Sequence, residues 1–278
     1  MKLLFLGDIV GKSGRDAVVR ELPHLIRTLG IDFAVVNAEN SAHGFGLTPA
    51  IANDVFDAGA DVVTTGNHVW DQREILTYID REPRMLRPTN FPPGTPGRGA
   101  GLFQTKDGRN VLVVHAMGRV FMDPLDCPFR GVEKELDACP LGHMADAILV
   151  DMHAEATSEK MAMGHWCDGR ASLVVGTHSH VPTADAQILP KGTAYQTDAG
   201  ACADYNSVIG FDPAIPLHKF VHKTPIGRME PAAGPATVCG TFVETDDRTG
   251  LAKRITAVRV GGRLSQSLPE VHQIAETA

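Results

Sequence analysis

Seven side chains able to hold a metal stand just beyond short apolar runs of this 278-residue chain. Asp8 follows Leu-Phe-Leu-Gly, Glu39 and Asn40 follow Val-Val-Asn-Ala, and Asn67 follows Val-Val-Thr-Thr-Gly. His153 follows Leu-Val-Asp-Met, and His178 and His180 follow Val-Val-Gly-Thr. Ligands of open α/β sheets bind outside the carboxyl ends of the strands, so five such ends can meet at one crevice. Carboxylates, amides and imidazoles together suit first-row divalent ions (Fe or Mn first, Zn as a further choice) better than Ca or Mg. Seven ligands exceed one tetrahedral ion and match two ions sharing a bridge, as in two-metal hydrolases.

Each piece alone has a plainer explanation. An isolated His-x-His is more often incidental, although imidazoles two residues apart leave an extended chain on the same side. Asn67 with His68 also fits a turn whose asparagine caps a helix. Glu39-Asn40 fits a solvated turn, but a carboxylate ending the run Phe-Ala-Val-Val-Asn-Ala needs a partner, and a cation supplies one. Taken singly, His153 is as readily a satisfied histidine near the core. The recurrence at successive strand ends favours the metal reading. Gly7 to Ser13 resembles a phosphate-binding loop but has three residues between its glycines where four are required, and Asp8 would face the phosphates. His43-Gly-Phe-Gly46 reads first as turn geometry beside the site, His115 as a structural histidine, and Lys12 and Arg119 as surface residues. His24, His143, His165, His218, His222 and His272 have no comparable setting.

The elements that must position these groups are legible in part. Runs at 2–6, 33–37, 61–65, 110–115, 147–151 and 172–176 are short and rich in Val, Ile and Leu, as buried strands are. Helical spacing marks 14–29, 49–58, 70–81 and 155–167, with Thr48-Pro49 as cap and first helical residue. This alternation predicts a largely parallel, helix-covered sheet. Beyond about 183, runs at 186–189, 193–197, 238–245 and 255–260 with few helices between them predict a second, more antiparallel sheet. Pro/Gly-rich stretches at 88–101 and 224–235 read as ordered loops rather than linkers, and no repeat interrupts the pattern. The expectation is one α/β domain, 1–278, of two packed sheets.

Composition narrows the partners. A net charge of −7 supplies no basic field for tight nucleic-acid binding, whereas bound metals can attract a small phosphate ester locally. Five cysteines without a Cys-x-x-Cys pair suggest neither a zinc ribbon nor a disulfide framework and fit free thiols in a cytoplasmic protein. No apolar stretch reaches the length of a membrane span, and the start of the chain lacks a signal-peptide core. Homo-oligomerisation is left open.

The order Gly-Asp8, Glu39-Asn40, Gly-Asn67-His68, His153 and Gly-Thr-His178-Ser-His180 resembles the five blocks of the calcineurin-like metallophosphoesterases. Within them the bacterial YmdB-like phosphodiesterases are the nearer match. Asn37 to Gly44, Gly66 to Asp71, Arg87 to Pro92, His153 to Lys160 and Thr177 to Asp185 carry the likeness through nearly the whole chain. The resemblance implies a four-layer α/β/β/α sandwich and phosphodiesterase activity on cyclic nucleotides, notably 2′,3′-cyclic ones. By matching motif it assigns Asp8, Glu39, Asn40 and His180 to one metal and Glu39, Asn67, His153 and His178 to the other. Glu39 bridges, and His68 meets the substrate. Val10 stands where the broad superfamily has a second-position histidine, Glu39-Asn40 replaces an aspartate, and Val69 stands where an acid often follows Gly-Asn-His. These departures bear on metal identity more than on reaction type.

The expected chemistry is in-line attack on phosphorus by a hydroxide bridging the ions, with His68 assisting the departing ribose oxygen. Two alternatives stand beside it: a metal-dependent phosphomonoesterase such as a nucleotidase, and a regulatory RNA- or protein-binding module with structural metals.

Overall fold

Strands that are apolar on both faces must be covered on both faces, and this chain does so with two sheets and two sets of helices. The computed structural model describes residues 1–270, so His272 and the end of the expected domain lie outside the described residues. The chain opens with β1 (Lys2–Leu6), α1 (Gly11–Leu29), β2 (Phe33–Asn37), α2 (Pro49–Asp57) and β3 (Val62–Thr64). The one-turn α3 (Ile75–Tyr78) and β4 (Met85–Leu86) complete this half. A second run comprises β5 (Ala100–Gln104), β6 (Asn110–Met117), α4 (Pro128–Ala138), β7 (Ala147–His153), α5 (Thr157–Cys167) and β8 (Leu173–Thr177). Then come β9 (Gln187–Ile188), β10 (Ala194–Gln196), β11 (Ala203–Asp204), α6 (Ala214–His222), β12 (Ala236–Thr245) and β13 (Ala252–Val260).

The first sheet runs β11-β12-β1-β2-β3-β4 with β13 paired to β12, and the second runs β5-β6-β7-β8-β10-β9. Each has a parallel centre, β1-β2-β3-β4 in one and β6-β7-β8-β10 in the other, closed by antiparallel strands. The expected separate antiparallel sheet after residue 183 therefore does not form. β12 and β13 extend the first sheet, with Leu4 opposite Phe242, while β9 and β10 extend the second. Pairing β12 beside β1 covers an edge that a purely N-terminal sheet would leave open.

The period-two alternation of side chains sorts the core into layers. Leu3, Phe5, Phe33 and Val35 meet Val111, Val113, Leu149 and Val175 between the sheets. Leu4, Leu6 and Val36 lie beneath Val18, Leu22 and Leu25 of α1, while Val114, Val150 and Val174 lie beneath α4 and α5. The architecture is the four-layer α/β/β/α sandwich. Among the described residues no helix is long and apolar enough to cross a membrane.

Thr48 caps α2 as expected, its hydroxyl accepting from the Ile51 amide at 3.3 Å. The helix expected over 70–81 shrinks to α3, because the preceding residues are held as turns by their own side chains. Asp71 bonds His68 at 2.8 Å, and the Gln72 amide donates to the Phe45 carbonyl at 2.8 Å. The stretch expected as a loop over 88–101 is an ordered loop as far as 99, where β5 takes over, and its carbonyls at Pro88, Thr95, Pro96 and Gly97 all accept from the Arg87 guanidinium.

Candidate metal centre

The carboxyl ends of β1, β2 and β3 in one sheet face those of β7 and β8 in the other, and the seven expected ligands stand in the loops or terminal residues there. Glu39, His153 and His178 each offer an atom within 4.8 Å of the other two. His153 Nε2 lies 3.1 Å from Glu39 Oε2, 3.0 Å from Asn67 Oδ1 and 3.2 Å from His178 Nδ1. Ligands bonded at about 2.1 Å in tetrahedral or octahedral arrangement stand about 3.0–3.4 Å apart, so His153 Nε2 stands at ligand spacing from each of the other three atoms. On the other side of Glu39, Oε1 lies 3.4 Å from Asn40 Nδ2, which is 3.2 Å from His180 Nε2. Asp8 Oδ1 is 3.9 Å from that nitrogen. A ligand role for Asn40 requires its amide turned so that Oδ1 takes the place of Nδ2.

The donor set is one that a cation would satisfy. Asp8 Oδ1 and Glu39 Oε2 are buried acceptors with no hydrogen-bond partner. Such orphans are costly unless something positive meets them. Burial pushes the Asp8 carboxyl up to about 6, against the pull of His180 and His153, and raises the Glu39 carboxyl as well. Burial drives His153 well below the ordinary imidazole value and His178 down to about 3, leaving both rings neutral and able to coordinate. Gly66 is required by space: a Cβ there would lie 1.6 Å from Glu39 Oε2 and 2.3 Å from His153 Nε2.

Each histidine has one ring nitrogen held and the other turned inward. The Thr177 hydroxyl donates to Asp151 Oδ1 at 2.8 Å, so it can only accept from His153 Nδ1, also 2.8 Å away. That relay leaves the lone pair of His153 on Nε2, the atom facing Glu39 and Asn67. Asp151 further accepts from Thr64 at 2.6 Å and Asn37 at 3.2 Å, while burial raises its carboxyl to about 7. His180 Nδ1 bonds the Ile209 carbonyl at 2.7 Å, and His178 Nε2 sits 3.1 Å from Glu155. Such outer partners fix ring orientation and tautomer in metal sites.

His178 and His180 do not project from an extended strand. β8 ends at Thr177, and both histidines adopt left-handed backbone, φ 91° and 64°. The turn is held by a buried ion pair: Lys160 Nζ lies 2.8 Å from Asp198 Oδ2 and 2.7 Å from Ser179 Oγ, and the Ser179 amide donates to Asp198 at 3.0 Å. Lys160, Asp198, Asp151, Thr177 and Ile209 have no role in the sequence reading. Asp151 alone carries a local signal, a carboxylate inside an apolar strand.

His68 Nδ1 pairs with Asp71, and its ring lines the mouth with Phe45 at 5.1 Å between centroids. His115 is fully buried, 3.3 Å from the Asp151 carbonyl, with burial lowering it to about 4. Lys12 pairs with Asp16 at the surface, and Arg119 is exposed.

A family model described as YmdB-like protein matches residues 4–258. The 2′,3′-cyclic-nucleotide 2′-phosphodiesterase of Bacillus subtilis is 43% identical over 260 residues, covering 94% of this chain and 97% of that protein. The crystal structure of a hypothetical protein from Thermus thermophilus superposes with a TM-score of 0.87 at 41% identity, covering 94% of this chain and all of that one. The crystal structure of a novel phosphatase from Mycoplasma pneumoniae gives 0.87 at 32% identity, covering 94% and 93%.

Proposed function

Since the chain belongs to the YmdB-like family, we propose that it is a two-metal phosphodiesterase hydrolysing 2′,3′-cyclic nucleotides. The observation that carries the reading is Glu39, whose Oε2 lies 3.1 Å from His153 Nε2, in a group with His178, while Oε1 lies 3.4 Å from the Asn40 amide on the other side. A carboxylate so placed suits a bridge between ions about 3.5–4 Å apart. Asp8, Glu39, Asn40 and His180 would hold one ion, and Glu39, Asn67, His153 and His178 the other, with Fe or Mn preferred by the mixed oxygen and nitrogen donors and Zn also compatible. When bound, two such ions activate water for in-line attack on phosphorus and offset charge on the non-bridging oxygens.

His68 stands at the mouth of the cleft and not among the ligand atoms. Asp71 holds its Nδ1, which leaves Nε2 to pass a proton to the departing ribose oxygen. The same site supports the single-domain reading, since neither sheet holds all seven ligands. Five cysteines free of disulfides suit a reducing cytoplasm. A small phosphodiester is the partner, and nothing in the charge favours a long nucleic acid.

Parallel kinetics on 2′,3′-cyclic AMP and a nucleoside monophosphate, with Mn, Fe and Zn each supplied, test the reading. The expected result is faster turnover of the cyclic diester. Consistent preference for the monoester would replace it with a nucleotidase.

A further inference from the structure

A cleft of about 240 Å³ opens onto Glu39, Asn40, His68, His178 and His180. One wall of it is apolar and is not explained by metal binding. Phe45, Ile209, Phe211 and Met229 form that wall. Phe211 is buried and stacks behind Phe45, ring centroids 5.2 Å apart and planes 29° off parallel. Phe45 and Met229 are only partly buried, and Ile209 is 51% exposed, so the front of the wall is open.

Phe45 is held in place from several directions. Its carbonyl accepts from the Gln72 amide at 2.8 Å, and its ring pairs with that of His68 at 71° between planes. The preceding Gly44 takes φ 87° and packs so closely that a Cβ would lie 2.7 Å from the Phe211 ring. Ile209 is a β-branched residue at φ 49°, a conformation such residues rarely adopt. It brings the carbonyl that holds His180 and the side chain on the wall from one position. Ordered aromatic surface beside a phosphate-handling centre is the arrangement that stacks bases.

We propose that Phe45, backed by Phe211 and flanked by Ile209 and Met229, is the platform on which the base of a mononucleotide substrate lies. The proposal rests on the phosphodiesterase reading and adds its specificity: nucleotides are preferred over diesters without a base, and bases are not told apart. The wall offers no hydrogen-bonding side chain. The two remaining polar groups at the mouth are engaged elsewhere, Glu155 with His178 and Ser179 with Lys160. Every base has a π-face, so stacking without edge contacts is tolerant of sequence. The cleft lies below the roughly 300–1,000 Å³ of drug-sized sites and suits one nucleotide rather than a strand.

The test measures kcat/KM of Mn-loaded enzyme on 2′,3′-cyclic AMP, 2′,3′-cyclic CMP and 1-O-methylribose 2,3-cyclic phosphate. Wild type should favour both nucleotides over the baseless diester by roughly 5- to 150-fold, the range of one base–aromatic stack, and differ less than tenfold between them. Phe45→Leu, which keeps the apolar contact with Phe211, should raise KM for the nucleotides and draw their advantage towards one; Phe45→Tyr should restore it. Metal content and thermal unfolding of both variants verify that the centre is intact. Equal efficiency on all three substrates in wild type, or parallel loss on all three in Phe45→Leu, overturns the platform while the phosphodiesterase reading stands. No turnover of any of the three overturns both.

Discussion

The two rims of the candidate centre differ in kind. The first sheet supplies oxygen: Asp8, Glu39, Asn40 and Asn67 follow β1, β2 and β3, and the two carboxylates carry buried atoms without partners. The second sheet supplies nitrogen: His153, His178 and His180 each have one ring nitrogen already engaged, by Thr177, Glu155 and Ile209. One rim is electrostatically incomplete and the other is preorganised. On the proposed reading a cation would join them, drawn by the oxygens and directed by imidazoles whose lone pairs are already aimed. Neither sheet could hold the site alone, so packing of the sheets is itself a condition of function.

Removing the shared carboxylate should break the pairing of the rims most severely. Glu39→Ala should abolish hydrolysis of 2′,3′-cyclic AMP while unfolding as cooperatively as wild type, because it removes a buried carboxylate whose ionisation burial already opposes. Circular dichroism melts beside an activity assay would check this, and loss of the folded baseline would mean that Glu39 is structural.

A large effect with both rims intact is expected at His68. His68→Ala should retain metal and lose about 10²–10⁴-fold in kcat, as when an acid–base group is removed. The loss should shrink for a nitrophenyl diester, whose leaving group needs no proton. An unchanged kcat, or metal loss comparable to that of a ligand variant, would overturn its separation from the two rims.

The preorganisation of the nitrogen rim can be loosened without touching a ligand. Thr177→Val keeps a β-branched residue in β8 but removes the hydroxyl between His153 and Asp151. Metal affinity measured by competition with a chelator should fall about 10–100-fold, the usual cost of losing such a partner. Unaltered affinity would show that His153 needs no help in choosing its tautomer. The mildest perturbation belongs to the oxygen rim. Asn67→Ala removes one neutral ligand oxygen, so activity should drop and be partly restored by excess Mn. A loss that no metal concentration relieves would place Asn67 in the chemistry instead.

The contrast between the rims also marks what could be read from the residues in order. Asp8, Glu39, Asn67, His153 and His178 announce themselves because each ends a run whose local pattern is that of a strand. α1 and α2 are equally local, written in an apolar stripe and in Thr48-Pro49. The groups that aim the imidazoles are not local. Thr177 meets Asp151, Lys160 meets Asp198, and the Ile209 carbonyl meets His180, all through tertiary packing. Sheet membership fails for the same reason, since β12 pairs with β1 across more than two hundred residues. α6 escapes notice because it exposes Leu217, Phe220 and Val221 and buries only Pro216, so no inward stripe marks it. The turn at 67–74 is obscured by helical spacing, which the side-chain bonds of Asp71 and Gln72 override.

The central claim, that Glu39 joins two rims around two ions, is tested most directly by elemental analysis of anaerobically purified protein. Wild type should carry close to two transition-metal ions per chain, as a bridged centre requires, and Glu39→Ala should lose both together. Near-stoichiometric retention of two ions in Glu39→Ala would contradict it.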